Sequence, residues 1–327
     1  MKLRDWDYSE NALNAEHQKL GLPPLERAVE NIALADASSR TIKVAVWLAT
    51  ASLLLLCGYA LVLLFDNGVH AAKAMLSEAL HSPVFWSALA VGLLAQVVDG
   101  ALGMAYGITS TSFLMASGVS PAVASASVHV AEVFTTGVSG ISHAKFGNVN
   151  KKLFLKLLLP GMTGVILGAY ILTSIDGAAI KPFIAAYLLC MGLYILSKVF
   201  KKVVAAKKEP KHIAKLALFG GFVDATGGGG WGPVVTTTLV GTGQDPRTTI
   251  GTVNFAEFFL TLVSAITFTA LVGFGPWMVV AGLVIGGLFA APFAAYLCSK
   301  FQTKTLLILV GSLISVVSIF NLYKALT

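Results

Sequence analysis

The chain has 327 residues, 56% of them hydrophobic and 12% charged, with a formal net charge of +7. Soluble chains carry about 25% charged residues, and the charges here cluster between long apolar runs. That excludes a pair of soluble domains and predicts an all-α polytopic membrane protein. The basic excess flanks the apolar runs, as the positive-inside rule produces, which favours a lipid bilayer as partner and speaks against nucleic acid.

Residues 1–43 are polar and carry seven acids (Asp5, Asp7, Glu10, Glu16, Glu26, Glu30 and Asp36). They read as a soluble cytoplasmic leader without a cleavable signal, containing a short helix from Leu25 to Ala35. Val44–Phe65 is an uncharged stretch of 22 residues, long enough at ~1.5 Å per residue to cross a ~30 Å hydrocarbon core. Cys57, Cys190 and Cys298 all fall in apolar segments, so they read as small buried hydrophobes, not as a disulfide frame or metal ligands.

The next segment introduces a duplication. Residues 98–142 align without a gap on 223–267, with 16 of 45 positions identical. The matches include Asp99/Asp224, Gly103/Gly228, Gly107/Gly232, Thr111/Thr236, Pro121/Pro246 and Glu132/Glu257. Apolar sequences match easily by chance, but paired acids, prolines and glycines in register do not. Two units follow, 83–200 and 213–327, joined by a basic linker at 201–212. Each holds a glycine-broken first segment and three further apolar helices. The last two helices of each unit lie at Leu153–Ser174 and Phe183–Leu196, then at Pro276–Cys298 and Leu306–Tyr323.

If the broken segments span, the units run parallel; if they are re-entrant, the units are inverted. Positive charge decides. The re-entrant arrangement puts 20 basic residues on the cytoplasmic side and three (Lys73, Lys181 and Lys324) outside, whereas full spanning gives 13 against 10. The expectation is therefore seven spans plus two re-entrant broken helices in two inverted repeats, with the N-terminus cytoplasmic and the C-terminus outside. Inverted repeats with broken helices are characteristic of secondary transporters that bind substrate near the midplane.

Within the breaks, Gly227–Gly230 ends a helix, since each glycine costs roughly 1 kcal/mol there, and Pro233 suits the start of a new half-helix. Its N-terminal end, with free N–H groups at the midplane, would attract an anion. This makes Gly103, Gly107, Gly228, Gly229, Gly230 and Gly232 candidate substrate-binding backbone, with Thr109, Thr111, Thr236 and Thr237 as hydroxyl donors. The competing readings are tight packing through small residues and hydroxyls bonded back to their own helix.

Ser120-Pro121 and Asp245-Pro246 read as N-caps followed by proline at the first helical position. Eleven residues further on, Glu132 and Glu257 lie about 16 Å into the bilayer. A polar stripe surrounds them: Ser125, His129, Glu132, Thr136 and Ser139 in the first copy, and Asn254, Glu257, Thr261 and Ser264 in the second. Carboxyl groups at that depth cost ~2.5–3.5 kcal/mol and are functional candidates by default. Glu132 and Glu257 are thus proton carriers or structural ties, with Glu132, beside His129, the better-placed carrier. His129 and Asn254 mark a polar pathway, and Asp99 and Asp224 at the hairpin tips either join the carboxyl set or cap the broken backbone.

Hydrolase, metalloprotease and nucleotide-loop motifs are absent, as is any metal-ligand spacing or cofactor motif. An Asp99–Asp224 protease pair is already accounted for by the duplication. The residues Val98-Asp99-Gly100 to Gly107, Val223-Asp224 through Gly232-Pro233, and the helices from Pro121 and Pro246 resemble the TauE/SafE family of sulfite exporters, over about Trp86–Leu326. That resemblance implies an inner-membrane secondary transporter of sulfite or an organosulfonate-type anion. Glycines of the second break are replaced at Leu102, Met104 and Ala105, which breaks the symmetry of the two hairpins. Export is assisted by a negative-inside potential, at ~2.3 kcal/mol per charge per 100 mV. The alternatives are a proton-coupled importer of a sulfur compound and an anion channel, and the architecture is compatible with a homo-oligomer.

Overall fold

The computed structural model describes residues 39–102, 104–198, 212–242, 244, 246–273, 275–300 and 303–327. The leader helix, Gly103, Asp245 and nearly all of the basic linker lie outside them. The described chain is helical, without a strand: α1 (Arg40–Phe65), α2 (Gly68–His81), α3 (Pro83–Leu102), α4 (Tyr106–Ala116), α5 (Pro121–Lys145), α6 (Lys151–Ser174), α7 (Gly177–Lys198) and α8 (Ile213–Gly227) come first. A π-helical turn (Gly232–Thr236) then runs into α9 (Thr237–Gly241), followed by α10 (Pro246–Val272), α11 (Trp277–Lys300) and α12 (Thr303–Leu326).

α1 starts at Arg40, inside the stretch assigned by sequence to the leader, because Ser39 caps it by accepting from the Ile42 N–H at 3.4 Å. Its inward stripe is Ile42, Ala45, Ala49 and Leu53, at helical spacing; Leu53 packs onto Gly137 of α5, and much of the remaining surface is apolar and exposed. Cys57 and Cys190 are free and exposed on apolar helices, which corrects the expectation that they are buried; an apolar helix facing lipid has no need to hide a thiol. The sequence did not predict α2, which is bent 72° from the following helix. Val69, Leu76 and Leu80 are exposed along one of its sides while Ala72 and Ala79 are buried, and the Trp86 indole N–H ties it to α3 by donating to the Leu80 carbonyl at 2.8 Å.

Element boundaries repeat. α5 and α10 begin at Pro121 and Pro246, and α3 and α8 end at Leu102 and Gly227, both 125 residues apart. α6/α11 and α7/α12 begin 126 apart, so one residue has been inserted in a loop. Packing is reciprocal as well: α3 lies along α11 and α8 along α6, while α5 packs on α10 and α7 on α12. Each principal contact of one unit is therefore matched by its counterpart in the other.

Two of these crossings are lined by glycine. A Cβ on Gly286 would sit 2.1 Å from the Leu89 carbonyl oxygen, and one on Gly164 would sit 2.2 Å from that of Leu218. Backbones that approach so closely are the device of helices packing without a hydrophobic drive between them. By length and apolarity four described helices can each cross a bilayer (Arg40–Phe65, Lys151–Ser174, Gly177–Ser197 and Thr248–Val272), and the bent pair α2–α3 makes a fifth if it is one span. The chain is a multi-pass helical membrane protein.

Candidate functional site

The second break is built around Asp224. α8 ends in left-handed backbone at Gly228 (φ +66°), and Gly229 follows at φ +139°. The Asp224 carbonyl accepts from the Gly229 N–H at 2.9 Å. Its carboxylate oxygen Oδ1 accepts from the N–H groups of Gly230 and Trp231, at 2.8 and 2.9 Å. Asp224 thus caps the half-helix that follows, as an aspartate before a helix start does. The expectation of free N–H groups is corrected at these two positions, because Asp224 already supplies the negative charge. Trp231 is fully buried, and its indole N–H donates to the Val253 carbonyl at 3.1 Å, pinning the turn to α10. Pro233 then sits in the first π-helical turn, whose widened ladder is a frequent companion of functional sites.

The first break repeats the capping with less glycine. The Tyr106 N–H, equivalent to that of Trp231, donates to the Asp99 carboxylate. Ala105 stands where the second copy has Gly230 and is held at φ +90°, a conformation that L-residues adopt only at a cost. Ser120 is the N-cap residue of α5, with Pro121 in the first turn, but its side chain makes no capping bond.

The two breaks touch. A Cβ on Gly229 would lie 2.3 Å from the Ile108 nitrogen, and one on Gly107 would lie 2.6 Å from the Gly229 Cα and 2.9 Å from Glu132 Oε1. The Thr111 hydroxyl crosses between them to the Gly228 carbonyl at 2.5 Å. Gly228, Gly229 and Gly230 therefore face protein: Thr111, the backbone of Gly107 and Ile108, and the Tyr187 hydroxyl. The glycines let two backbones cross.

Four carboxyl groups and one histidine surround the crossing. Glu132 lies close enough to Asp224 and Asp99 to feel their charge, and Glu257 feels all three. Asp224 and Glu132 are buried, whereas their counterparts Asp99 and Glu257 are partly exposed. His129 of α5, fully buried, reaches across the repeats, with Nε2 3.2 Å from Asp224 Oδ2. Its Nδ1 is 2.7 Å from the Ser125 carbonyl. The Ser125 hydroxyl, 3.3 Å from Nδ1, spends its own proton on the Ala225 carbonyl at 2.7 Å. No lysine or arginine is buried among the residues whose side chains are described.

Several buried polar atoms here have no partner: the Thr109, Ser110 and Thr236 hydroxyls, Glu132 Oε2 and Asn254 Oδ1. Such atoms are rare in folded interiors and call for an explanation. The other predicted hydroxyls are engaged, Thr111 with Gly228 and Thr237 with both the Pro233 carbonyl and the Tyr194 hydroxyl. Sequence reasoning missed Tyr187, whose hydroxyl donates to the Gly229 carbonyl at 2.9 Å, and Asn321, whose amide donates to the Ser112 carbonyl at 2.9 Å. Both lie outside the aligned segments; a tyrosine or asparagine in an otherwise apolar helix was the only signal.

Comparison with known proteins gives a consistent result. Residues 88–321 match the family described as Sulfite exporter TauE/SafE. The chain is also 46% identical over 237 residues, 70% of its own length and 79% of the relative's, to the "Probable membrane transporter protein YtnM" of Bacillus subtilis (strain 168). No solved structure matches.

Proposed function

Because the chain belongs to the sulfite exporter TauE/SafE family of membrane transporters, not enzymes, we propose that it carries a small sulfur oxyanion outward across the inner membrane. The observation that carries this reading is the set of unpartnered hydroxyls of Thr109, Ser110 and Thr236, buried beside two helix breaks that cross each other. Hydroxyls donate to an oxyanion without adding charge, and irregular backbone at membrane depth is tolerated where protein or a cavity lines it.

In this reading Gly107 and Gly232 frame the site, and the hydroxyls hold the anion. The two units form inverted repeats with seven spans, placing the basic linker and N-terminus in the cytoplasm and the C-terminus outside. The uneven exposure of Asp99 and Glu257 against Asp224 and Glu132 fits a transporter open toward one half and closed toward the other, as alternating access between inverted repeats requires.

Proton-coupled uptake is the second reading, favoured by the His129–Asp224 contact in a centre without lysine or arginine. The test is a proteoliposome flux screen with sulfite, sulfate, thiosulfate, sulfoacetate and taurine. Saturable flux with exchange of a sulfur oxyanion supports transport. Currents that do not saturate indicate a channel, and flux of none of the five rejects the substrate class.

A further inference from the structure

The proton inventory of His129 follows from its partners. The Ser125 carbonyl can only accept, and the Ser125 hydroxyl has given its proton to Ala225, so Nδ1 carries a hydrogen. Nε2 then faces Asp224 Oδ2 at 3.2 Å, and that contact closes only with one further proton, on either atom. Oδ1 does not hold it, because it accepts two backbone N–H groups. One carboxylate thus shares a proton with α5 through one oxygen and fixes the tip of the second hairpin through the other.

The equivalent position in the other unit is Asn254, which cannot titrate, so the device is built once. We propose that the His129–Asp224 pair is the proton-binding site of transport and takes up one proton for each monovalent anion carried. This rests on the anion-transport reading and deepens its second, proton-coupled form, because one proton per anion drives the anion toward the more alkaline side and so into an alkaline cytoplasm. With the proton in place the pair is neutral, and an anion can occupy the neighbouring hydroxyls. Without it, a lone pair faces a carboxylate, and the net negative charge both loosens the hairpin tip and expels the anion.

The groups around the pair sharpen the effect, since all are acids. Glu132 lies on α5 itself, Glu257 on α10 and Tyr187 on α7, each within reach of the Asp224 charge, and Asp99 on α3 completes the carboxyl set. The Phe268 ring of α10, 5.7 Å from the imidazole, contributes no charge. His129 is the one cationic group the described interior can form.

The test uses the full chain in proteoliposomes at zero membrane potential, with methanesulfonate as probe because its charge does not titrate near neutral pH. The wild type should take up one proton with each anion, and a pH gradient of one unit should accumulate the anion about tenfold toward the alkaline side. His129→Asn, which copies Asn254 but leaves the Asp224 charge without a neutralising proton, should lose proton uptake, accumulation and anion flux together while its Tm in detergent stays near the wild-type value. Wild-type-like accumulation in His129→Asn overturns the inference. So does wild-type anion flux without protons, which leaves the transport reading standing and needs no variant to fold. Absence of wild-type flux for every oxyanion overturns the transport reading itself.

Discussion

Gly229 and Gly107 meet backbone to backbone: a Cβ on Gly229 would come within 2.4 Å of the Gly107 carbonyl carbon. A residue at this crossing needs both a positive φ and no side chain. Gly229→Ala should therefore cost about 3 kcal/mol or more, from overpacking and left-handed strain together. Thermal unfolding of the purified protein in detergent checks this, and an unchanged Tm would mean that the hairpins do not cross there.

Ala105 makes the opposite prediction. It holds φ +90° where the second copy has Gly230. Relief of left-handed strain outweighs the extra freedom glycine gains in the unfolded chain, so Ala105→Gly should stabilise by about 0.5–1 kcal/mol. The same unfolding measurement reads it as a rise in Tm.

The two equivalent threonines should behave differently. Thr111 bonds the Gly228 carbonyl across the breaks, whereas the Thr236 hydroxyl is buried without a partner. Thr111→Val should lower stability by about 1–3 kcal/mol, because it leaves a buried carbonyl without its donor. Thr236→Val removes an orphaned hydroxyl at constant shape and should leave Tm unchanged or raised.

The sequence carried the periodic and the paired features. Pro121 and Pro246 begin their helices as their pattern predicts, and the duplication reappears as matched boundaries and reciprocal packing. Asp224 caps a break, one of the two roles its position suggested. What escaped depends on contacts distant in the chain. His129 and Asp224 are 95 residues apart, and neither periodicity nor repeat register pairs them, since the second copy offers Asn254. Tyr187 has no tyrosine counterpart in the second unit, so the duplication gave no hint of it. α2 is short and carries Lys73 and Glu78, so no long apolar run announced it. In sequence the bare glycine backbone looks like room for an anion, whereas in the fold much of that room is filled by the other hairpin.

Orientation is open to a direct check. With 20 basic residues assigned to one side and three to the other, a reporter fused after Thr327 should lie outside and one inserted at 201–211 inside. Both reporters on one side would contradict the inverted arrangement.

The most direct measurement is oxyanion flux by the Thr109→Val, Thr236→Val double variant in proteoliposomes, set beside its Tm. Each lost hydrogen bond to a charged group is worth about 1.5–3 kcal/mol, so loss of two donors to a bound anion should raise KM by about a hundredfold or more. The folded fraction and Tm should not fall below wild-type values. A double variant with wild-type KM would show that the anion does not bind at the crossing of the two breaks.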